Sequence, residues 1–362
     1  MTIYTADMIG KKFSIVDELM MLNPHQTPLV SRLGFGEAVT NTTHEWFEDA
    51  MFSFESTADG AFLVSDTTIK VVDAEPFRTE QVIRNGDELM LVTAVNGATK
   101  ELTVVRGHAS TTAEPITSGG KIEVMFVEGQ EGRDARQARY KKRVKKSNIT
   151  QIFDDTIEVT GTAQSVTQYG ISDIYENEKQ KKQVELALQL EKAIINGILY
   201  EDGDKRLMKG IRDYIATNVT NASNAALTID MINDLAQQQY EKGAFNEGGQ
   251  FAIMVGAKQK RKLSKLDENK IILPRADDTR GSAVDRIVTD FGEFDIMLNN
   301  NLRPDELLIV DTNRIKIRPL KDRDFFHKYL GDKGDYVTGM LVGEYTLEFK
   351  QEAAHGRLHN LA

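Results

Sequence analysis

Residues 172–199 read SDIYENEKQKKQVELALQLEKAIINGIL, the longest helical pattern in the chain. Ser172 and Asp173 can cap its first turn, and Gly203 lies just beyond its end. At 1.5 Å per residue, the stretch predicts a rod roughly 40 Å long. Its apolar face is predicted at Val184, Ala187, Leu188, Ile194, Ile195 and Ile198.

Before this helix, residues 62–128 have the character of a small all-β module. Asn85-Gly86-Asp87 is a turn signal, and Asn96-Gly97 favours a tight hairpin. Short strands at this spacing predict a barrel or sandwich of about 60 residues. The predicted strands are 68–72, 88–95, 102–105 and 122–127.

After the helix, helical and strand patterns alternate without a regular βαβ repeat, which predicts an α+β fold. The predicted helices are 229–242 and 258–266. The predicted strands are 251–255, 286–289, 294–298, 307–310, 315–319 and 338–349.

The first 35 residues contain too little apolar material to fold alone. Ile15, Leu19 and Leu22 recur at helical spacing until Pro24, and a second apolar patch ends at Gly34. We expect an extended arm that packs on another surface.

Composition excludes several classes of protein. The chain has 362 residues, no cysteine and a formal net charge of −10. Disulfides and thiolate metal sites are therefore excluded, and a dedicated nucleic-acid binder is disfavoured. No stretch approaches the roughly 20 apolar residues of a membrane span, and no secretion signal is recognised.

No catalytic constellation or cofactor motif is found, so we predict no catalytic, cofactor-binding or metal residues. His355 and His359 have the spacing of a helical metal pair, but Gly356 lies between them, and a surface or interface pair is the better interpretation. Asp202-Gly203-Asp204 resembles the opening of a calcium loop but lacks the later acids, which favours a simple turn.

One basic run, residues 133–146, departs from the acidic balance of the chain. It is compatible with a phosphate-binding stripe, a solvated face, or contacts to acidic surface on a neighbouring subunit. Tyr140 is its only aromatic residue, which disfavours nucleic-acid stacking, and we favour the contact between subunits. The candidate contact residues are Arg133, Arg136, Arg139, Lys141, Lys142, Arg143, Lys145 and Lys146.

Five stretches together resemble the major capsid proteins of tailed bacteriophages with the Hong Kong 97-type (HK97-like) capsid fold. They are 13–34 (FSIVDELMMLNPHQTPLVSRLG), 44–49 (HEWFED), 205–214 (KRLMKGIRDY), 307–319 (LLIVDTNRIKIRP) and 343–361 (GEYTLEFKQEAAHGRLHNL). They lie at both ends and in the middle, so the resemblance covers nearly the whole chain.

The resemblance implies a division into four parts. Residues 1–45 would be an N-terminal arm, and residues 46–150 an extended loop carrying the inserted β-module. Residues 151–210 and 301–362 would form a peripheral domain with helix 172–199 as its spine, and residues 211–300 an axial domain.

The same resemblance implies a structural protein of the virion that assembles in the host bacterial cytoplasm. Copies of the chain would form the hexamers and pentamers of an icosahedral shell around double-stranded DNA, without sequence-specific binding. Scaffold, portal and decoration proteins are further expected partners. The alternatives are another virion component (tail, neck or decoration) and a cytoplasmic enzyme.

Overall fold

The computed structural model describes residues 27–132, 134–136, 138–166, 173–245, 249–265, 286–332 and 334–362. The chain divides into two compact units. The larger unit comprises Met1–Trp46 and Lys145–Ala362, and the barrel unit comprises Phe47–Val144.

Among the described residues, helices and strands alternate irregularly along the chain. The helices are α1 Pro28–Leu33, α2 Gly161–Ser165, α3 Ile174–Asn196, α4 Ile211–Tyr214, α5 Ile229–Glu241 and α6 Ala257–Leu263. The first strands are β1 Thr43–Glu48, β2 Glu55–Thr57, β3 Thr68–Lys70, β4 Gln81–Asn85, β5 Glu88–Asn96, β6 Glu101–Val105, β7 Lys121–Val127, β8 Val144–Ile149 and β9 Gln151–Thr160. The later strands are β10 Tyr200–Asp202, β11 Lys205–Leu207, β12 Val219–Asn221, β13 Phe251–Val255, β14 Arg286–Thr289, β15 Gly292–Leu298, β16 Leu307–Asp311, β17 Ile315–Pro319, β18 Phe326–Asp332, β19 Tyr336–Phe349 and β20 Gly356–His359.

The barrel unit is built on one antiparallel sheet in the order β2-β7-β4-β5-β6-β3. A bridge between Ala58 and Val71 joins the two edge strands, which closes the sheet on itself. Inward residues of every long strand are fully buried, among them Ile69, Ile83, Met90, Leu102 and Ile122. Closure removes exposed strand edges and gives the unit a core of its own.

One of the two predicted turns of the barrel unit is confirmed, and the other is longer than expected. The tight two-residue turn is Gly86-Asp87, where Gly86 has a positive φ of 57°. The loop at Asn96-Gly97 is longer, since Asn96 pairs with Glu101 across the ladder. Strands β2 and β4 lack a sequence signal that we recognised, and the sheet begins at residue 55 rather than 62.

In the larger unit, the fourteen-residue strand β19 lies at the centre of a four-stranded sheet. Strand β9 pairs along one side, and β17 and β18 pair along the other. Helix α3 covers this sheet, and its buried residues share a core with Phe153 and Ile157 of β9. An ion pair of 3.0 Å between Lys182 and Asp155 also joins α3 to β9.

Helix α3 confirms the predicted long helix with different limits and a different buried face. Asp173 caps it by accepting hydrogen bonds from the amides of Tyr175 and Glu176, whereas Ser172 lies outside the described residues. The side chains that α3 buries are Leu186, Leu190, Glu191, Ile194 and Ile195. The predicted face was wrong at Val184 and Ile198, which are exposed.

Directly after the last helical residue, Asn196, close packing of two backbone segments requires a glycine at position 197. A Cβ on Gly197 would lie 2.4 Å from the carbonyl oxygen of Met208, and one on Gly210 would lie 2.5 Å from the Gly197 nitrogen. The amide of Gly210 donates to the Gly197 carbonyl at 2.9 Å. The two backbones therefore pack directly on each other, and the chain turns here rather than at Leu199.

A second sheet of the larger unit has six strands in the order β12-β20-β16-β13-β15-β14 and mixes parallel with antiparallel pairs. Its central strands β13 and β16 are buried at every residue. One face shares the core of α3, and the other packs against α5 and α6. The predicted bounds of β13, β14 and β17 are confirmed, as is the α+β class.

The second apolar patch of the N-terminal region forms the short helix α1, which ends at Leu33 with Gly34 as its C-cap. Bridges from Phe35 to Ile317 and from Val39 to Leu320 then place the chain parallel to β17. The predicted helical pattern from Ile15 to Leu22 lies outside the described residues.

Candidate assembly surfaces

The basic run of residues 133–146 is partly neutralised within the chain. Arg136 Nε lies 3.5 Å from Glu80 Oε2, and the Arg136 guanidinium also donates to the carbonyl of Glu128. Lys141 Nζ lies 3.2 Å from Glu75 Oε2. Arg133 lies outside the described residues.

Arg139 is exposed overall, but its guanidinium is bound to the barrel unit. Its guanidinium lies 4.1 Å from the ring centroid of Phe52 and donates at 2.9 Å to the carbonyl of Pro76. Burial lowers the pKa of Arg139, with a smaller lowering by the nearby Arg78. This side chain therefore braces the segment against the barrel through stacking and one backbone hydrogen bond.

Two further cations form exposed ion pairs. Arg143 lies 3.3 Å from Asp49, and Lys145 lies 2.8 Å from Glu45. Exposed pairs of this kind contribute about 0–1 kcal/mol, since both charges remain solvated. Either pair can exchange its partner at little cost.

Lys142 and Lys146 are the remaining candidates. Both side chains are exposed, and neither has an ion-pair partner among the residues that the structure describes. The described cations of the run therefore fall into three groups: those bound to the barrel unit, those in exposed ion pairs, and these two lysines, for which no ion pair is described.

Buried carboxylates, which our reading of the sequence missed, join the sheets of the larger unit. Glu344 of β19 accepts hydrogen bonds from Arg206 at 2.8 Å and from the Thr150 hydroxyl at 2.6 Å. Its second oxygen forms an ion pair with Arg323 at 2.8 Å. The carboxylate is 3% exposed, so these partners offset the cost of burying it.

Glu348, four residues along the same strand, forms a second such centre. His44 Nε2 lies 2.8 Å from it, Lys350 lies 2.7 Å from it, and Arg318 donates to it. Burial by itself raises the pKa of Glu348, but the hydrogen bonds from His44, Lys350 and Arg318 outweigh it and hold that pKa well below its usual range. The carboxylate is therefore ionised and ties β19 to β1 and β17.

Glu306 is the third centre and lies just before β16. Arg212 binds it through two nitrogens at 2.6 and 2.7 Å, and Arg357 binds it at 2.8 Å. Arg212 also donates to Asn196 at the end of α3 at 3.0 Å. This cluster joins the end of the long helix to the six-stranded sheet.

Glu191 of α3 anchors the described part of the N-terminal region. It is fully buried and accepts hydrogen bonds from the amides of Leu29 at 3.0 Å and Val30 at 2.8 Å, and from the side chain of Asn299 at 2.6 Å. Burial raises the pKa of Glu191, although these hydrogen bonds oppose the rise. The start of α1 is thereby fixed to the C-terminal part of α3.

The two histidines do not form the predicted surface pair. His355 is fully buried: its Nδ1 accepts a hydrogen bond from the amide of Asp311 at 3.1 Å, and its Nε2 lies 3.2 Å from the carbonyl of Lys350. Burial lowers its pKa to about 3, so the ring is neutral. The prediction failed because His355 closes an internal turn beside Phe349, whereas His359 is half-buried on β20.

The predicted turn at Asp202-Gly203-Asp204 is confirmed as the tip of the β10–β11 hairpin, with Gly203 at a φ of 57°. Among the described residues, no group of three or more acidic or histidine side chains is placed to hold a metal ion. None of the described helices is both long and apolar enough to span a bilayer.

A profile of the SU10 major capsid protein family matches residues 2–362. The chain belongs to this family. The match includes both compact units and the N-terminal region. The capsid protein is therefore a structural component of the phage virion that forms the head shell, and not an enzyme or a tail component.

Solved capsid structures share the fold over nearly the entire capsid protein. The Cyanophage A-1(L) capsid asymmetric unit is 10% identical, with 99% of this chain and 98% of that chain covered and a TM-score of 0.57. The capsid of the empty GTA particle, computed with C5 symmetry, is 9% identical, with coverage of 99% and 98% and a TM-score of 0.55.

A third structure, from Mycobacterium phage Adephagia, is 11% identical, with 100% of this chain and 99% of that chain covered and a TM-score of 0.51. No curated protein matches the sequence. At these identities the structural matches establish the fold alone, and they confirm the α+β, Hong Kong 97-type fold expected from the sequence.

Proposed function

We propose that the capsid protein builds the head shell through four parts with different roles. The peripheral domain (residues 151–210 and 301–362) forms the rigid wall, the axial domain (211–300) lies at the capsomer centre, and the arm (1–45) and extended loop (46–150) reach onto neighbouring copies. The observation that carries this proposal is that one compact unit, Phe47–Val144, interrupts a second unit organised around α3.

The proposed peripheral domain has the construction of a stiff plate. Helix α3 packs along β9, and β19 is fixed by the buried carboxylates Glu344 and Glu348. Buried, fully partnered charges resist sliding of strands, because any displacement leaves a charge without its partner. Such a plate can transmit the pressure of a packed genome without losing strand register.

The proposed arm starts from a fixed point. Leu29 and Val30 are bound by Glu191, and the chain then follows β17. We propose that the residues before this anchor lie on a neighbouring subunit, as expected of heterologous contacts between many identical copies.

The partners follow from the same role. We propose hexamers and pentamers of the capsid protein, with scaffold, portal and decoration proteins as further partners during assembly in the host cytoplasm. The net charge of −10 supports enclosure of double-stranded DNA without specific binding, because an acidic shell does not retain the incoming polymer.

We also propose that the basic segment contributes contacts between subunits. Lys142 and Lys146 have no ion-pair partner in the described part of the chain, and the described partner of Arg143 is exposed and exchangeable. A phosphate-binding stripe is less well supported, since Arg136, Arg139 and Lys141 are already engaged within the chain. The barrel is then a brace or decoration carried by the extended loop.

The experiment is negative-stain electron microscopy of the purified chain, alone and co-expressed with the proteins encoded beside it. Shells, tubes or capsomer rings are expected. Deletion of residues 1–26, which keeps the Glu191 anchor, should leave a folded and soluble protein that forms no closed shells. Normal shells from this truncation would overturn the role of the arm.

A further inference from the structure

Two helices of the proposed axial domain carry exposed charges of opposite sign. Helices α5 and α6 pack on the same face of the six-stranded sheet through Ile232, Leu235 and Leu263, among other buried residues. Their outward faces are polar and free of buried contacts, so the charges there do not serve the core.

The outward face of α5 is acidic. Asp230, Asp234 and Glu241 are separated by four and seven residues, which places them within about 40° of each other on a helix of 3.6 residues per turn. All three are exposed, and none has a cationic partner among the described residues. Gln237, on the same stripe, donates to Glu241 at 3.0 Å.

The outward face of α6 is basic. Lys258 and Arg261 lie one turn apart on this helix, and Lys265 follows directly after its C-terminal residues. These three side chains are exposed, and no described carboxylate pairs with any of them. Lys262 differs, since it is directed to the carbonyl of Ala362.

One charge on each face does not stabilise its own helix. Lys258 is in the first turn of α6, and Glu241 is the last residue of α5. The helix dipole disfavours a cation at the first position and an anion at the second. Asp230, in the first turn of α5, and Arg261, in the last turn of α6, are favoured by the dipole, so the dipole accounts for only part of each face.

We infer that the basic face of α6 binds the acidic face of α5 in a second copy of this chain. The occupant is set by charge complementarity and by the family's function, which is assembly of identical copies. A contact between two different patches of the same protein is heterologous, and repetition of it around an axis closes a ring. Opposite charges on the two patches also select the head-to-tail arrangement over the reverse.

The inference rests on the proposed function of self-assembly. The experiment distinguishes failure of the α5–α6 contact from failure of the proposed function. The double variant Lys258→Glu with Arg261→Glu reverses the basic face, and Asp230→Lys with Asp234→Lys reverses the acidic face. Each alone should reduce the yield of capsomers or shells at least tenfold in sedimentation velocity. The combination of all four should restore assembly, because the attraction is re-formed with opposite signs.

Lys100→Glu and Asp87→Lys are the matched controls, since both are exposed charges without a described ionic partner in the barrel unit. They should assemble normally. Circular dichroism melting of the unassembled chain checks that each variant folds. If the reversals do not fold, Lys258→Gln with Arg261→Gln replaces them, and its assembly should lose the salt dependence of the unchanged protein.

Normal assembly of either single-face reversal, or failure of the four-residue combination to assemble, would overturn the contact. An unchanged salt dependence of the neutral variant would do the same. If the unchanged chain itself formed no particles, the proposed function would be at fault instead.

Discussion

The carboxylate of Glu191 accepts a hydrogen bond of 3.0 Å from the amide of Leu29, a residue 162 positions earlier in the chain. The bond joins the C-terminal part of the long helix to the first described helix. The other oxygen of the carboxylate accepts from Val30, so two backbone donors at the start of α1 are satisfied by one buried side chain. Glu191 therefore fixes the start of α1, while the bridges of Phe35 and Val39 hold the residues that follow.

Replacement of Glu191 by leucine should loosen the start of α1. Two amides and the Asn299 side chain would lose their acceptor, at a cost of about 1–3 kcal/mol for each buried group left unsatisfied. Hydrogen exchange at Leu29 and Val30 should accelerate by at least tenfold, and the melting temperature should fall. Lys192→Gln, at an exposed neighbouring position, is the control and should change neither quantity.

The buried acid Glu344 should be more critical than its exposed neighbours. Glu344→Gln removes the charge that faces Arg206 and Arg323, and breaking a buried ion pair typically costs about 3–5 kcal/mol. We expect a lower urea midpoint for the larger unit. Glu185→Gln on the surface of α3 should change the free energy of unfolding by less than about 0.5 kcal/mol. Equal effects of the two changes would contradict the role assigned to Glu344.

Acid should destabilise the larger unit through His355. Its pKa is about 3 when folded and 6.5 in its ordinary state, so the unfolded chain binds an extra proton between these values. Stability is then full above pH 6.5 and falls by up to about 1.4 kcal/mol per pH unit below it.

The measurement is the free energy of unfolding between pH 6.5 and 5. His355→Gln should flatten this dependence, even if it lowers the stability itself. The control variant is His359→Gln, four residues later at the end of β20. An unchanged slope in the His355 variant would show that another group is responsible.

Gly197→Ala tests the contact that ends α3. The added methyl group would meet the carbonyl of Met208 at 2.4 Å, although the φ of −57° at this glycine suits any residue. The destabilisation therefore comes from overpacking, and we expect about 1–3 kcal/mol. Gly129→Ala, where nothing lies within 4 Å of the new atom, should be neutral in a thermal melt.

Reversal of the charge at Lys142 and Lys146 tests the proposed role of the basic segment. Lys142→Glu with Lys146→Glu should lower the yield of shells without changing the melting temperature, since neither lysine has an ionic partner within the described chain. Particle yield by sedimentation velocity is the measurement. Lys141→Gln is a useful contrast, because its ion pair with Glu75 lies inside the barrel unit and its loss should affect that unit's stability first.

The sequence predicted elements whose signal is local. Strands β13, β14 and β17 have the predicted bounds because short apolar runs are flanked by turn residues. Helix α3 was also found, but its end was placed three residues late, since Ile198 and Leu199 continue the apolar pattern. What stops the helix is the approach of Gly210, and a contact between distant backbones leaves little trace in a local pattern.

The candidate surfaces show the same limit. The eight cations form a recognisable run in the sequence. The residues that bind three of them come from a much earlier part of the chain: Glu80 binds Arg136, Pro76 binds Arg139 and Glu75 binds Lys141. Glu344 was overlooked although it interrupts an apolar stretch, and Arg206 is 138 residues away from it. A charged residue inside an apolar strand was the available signal, since such a charge must be partnered to be buried.

The pairing of β1 with β8 affects how domains can be inserted into the capsid protein. The chain leaves one strand for the barrel and returns on the strand beside it, so the two ends of the excursion are already neighbours. An inserted unit with adjacent ends and a core of its own can be lengthened, exchanged or removed with little change in the loop-closure entropy of the remaining chain. A foreign domain inserted between β1 and β8 should therefore fold on its own and be carried in every copy of the capsid protein.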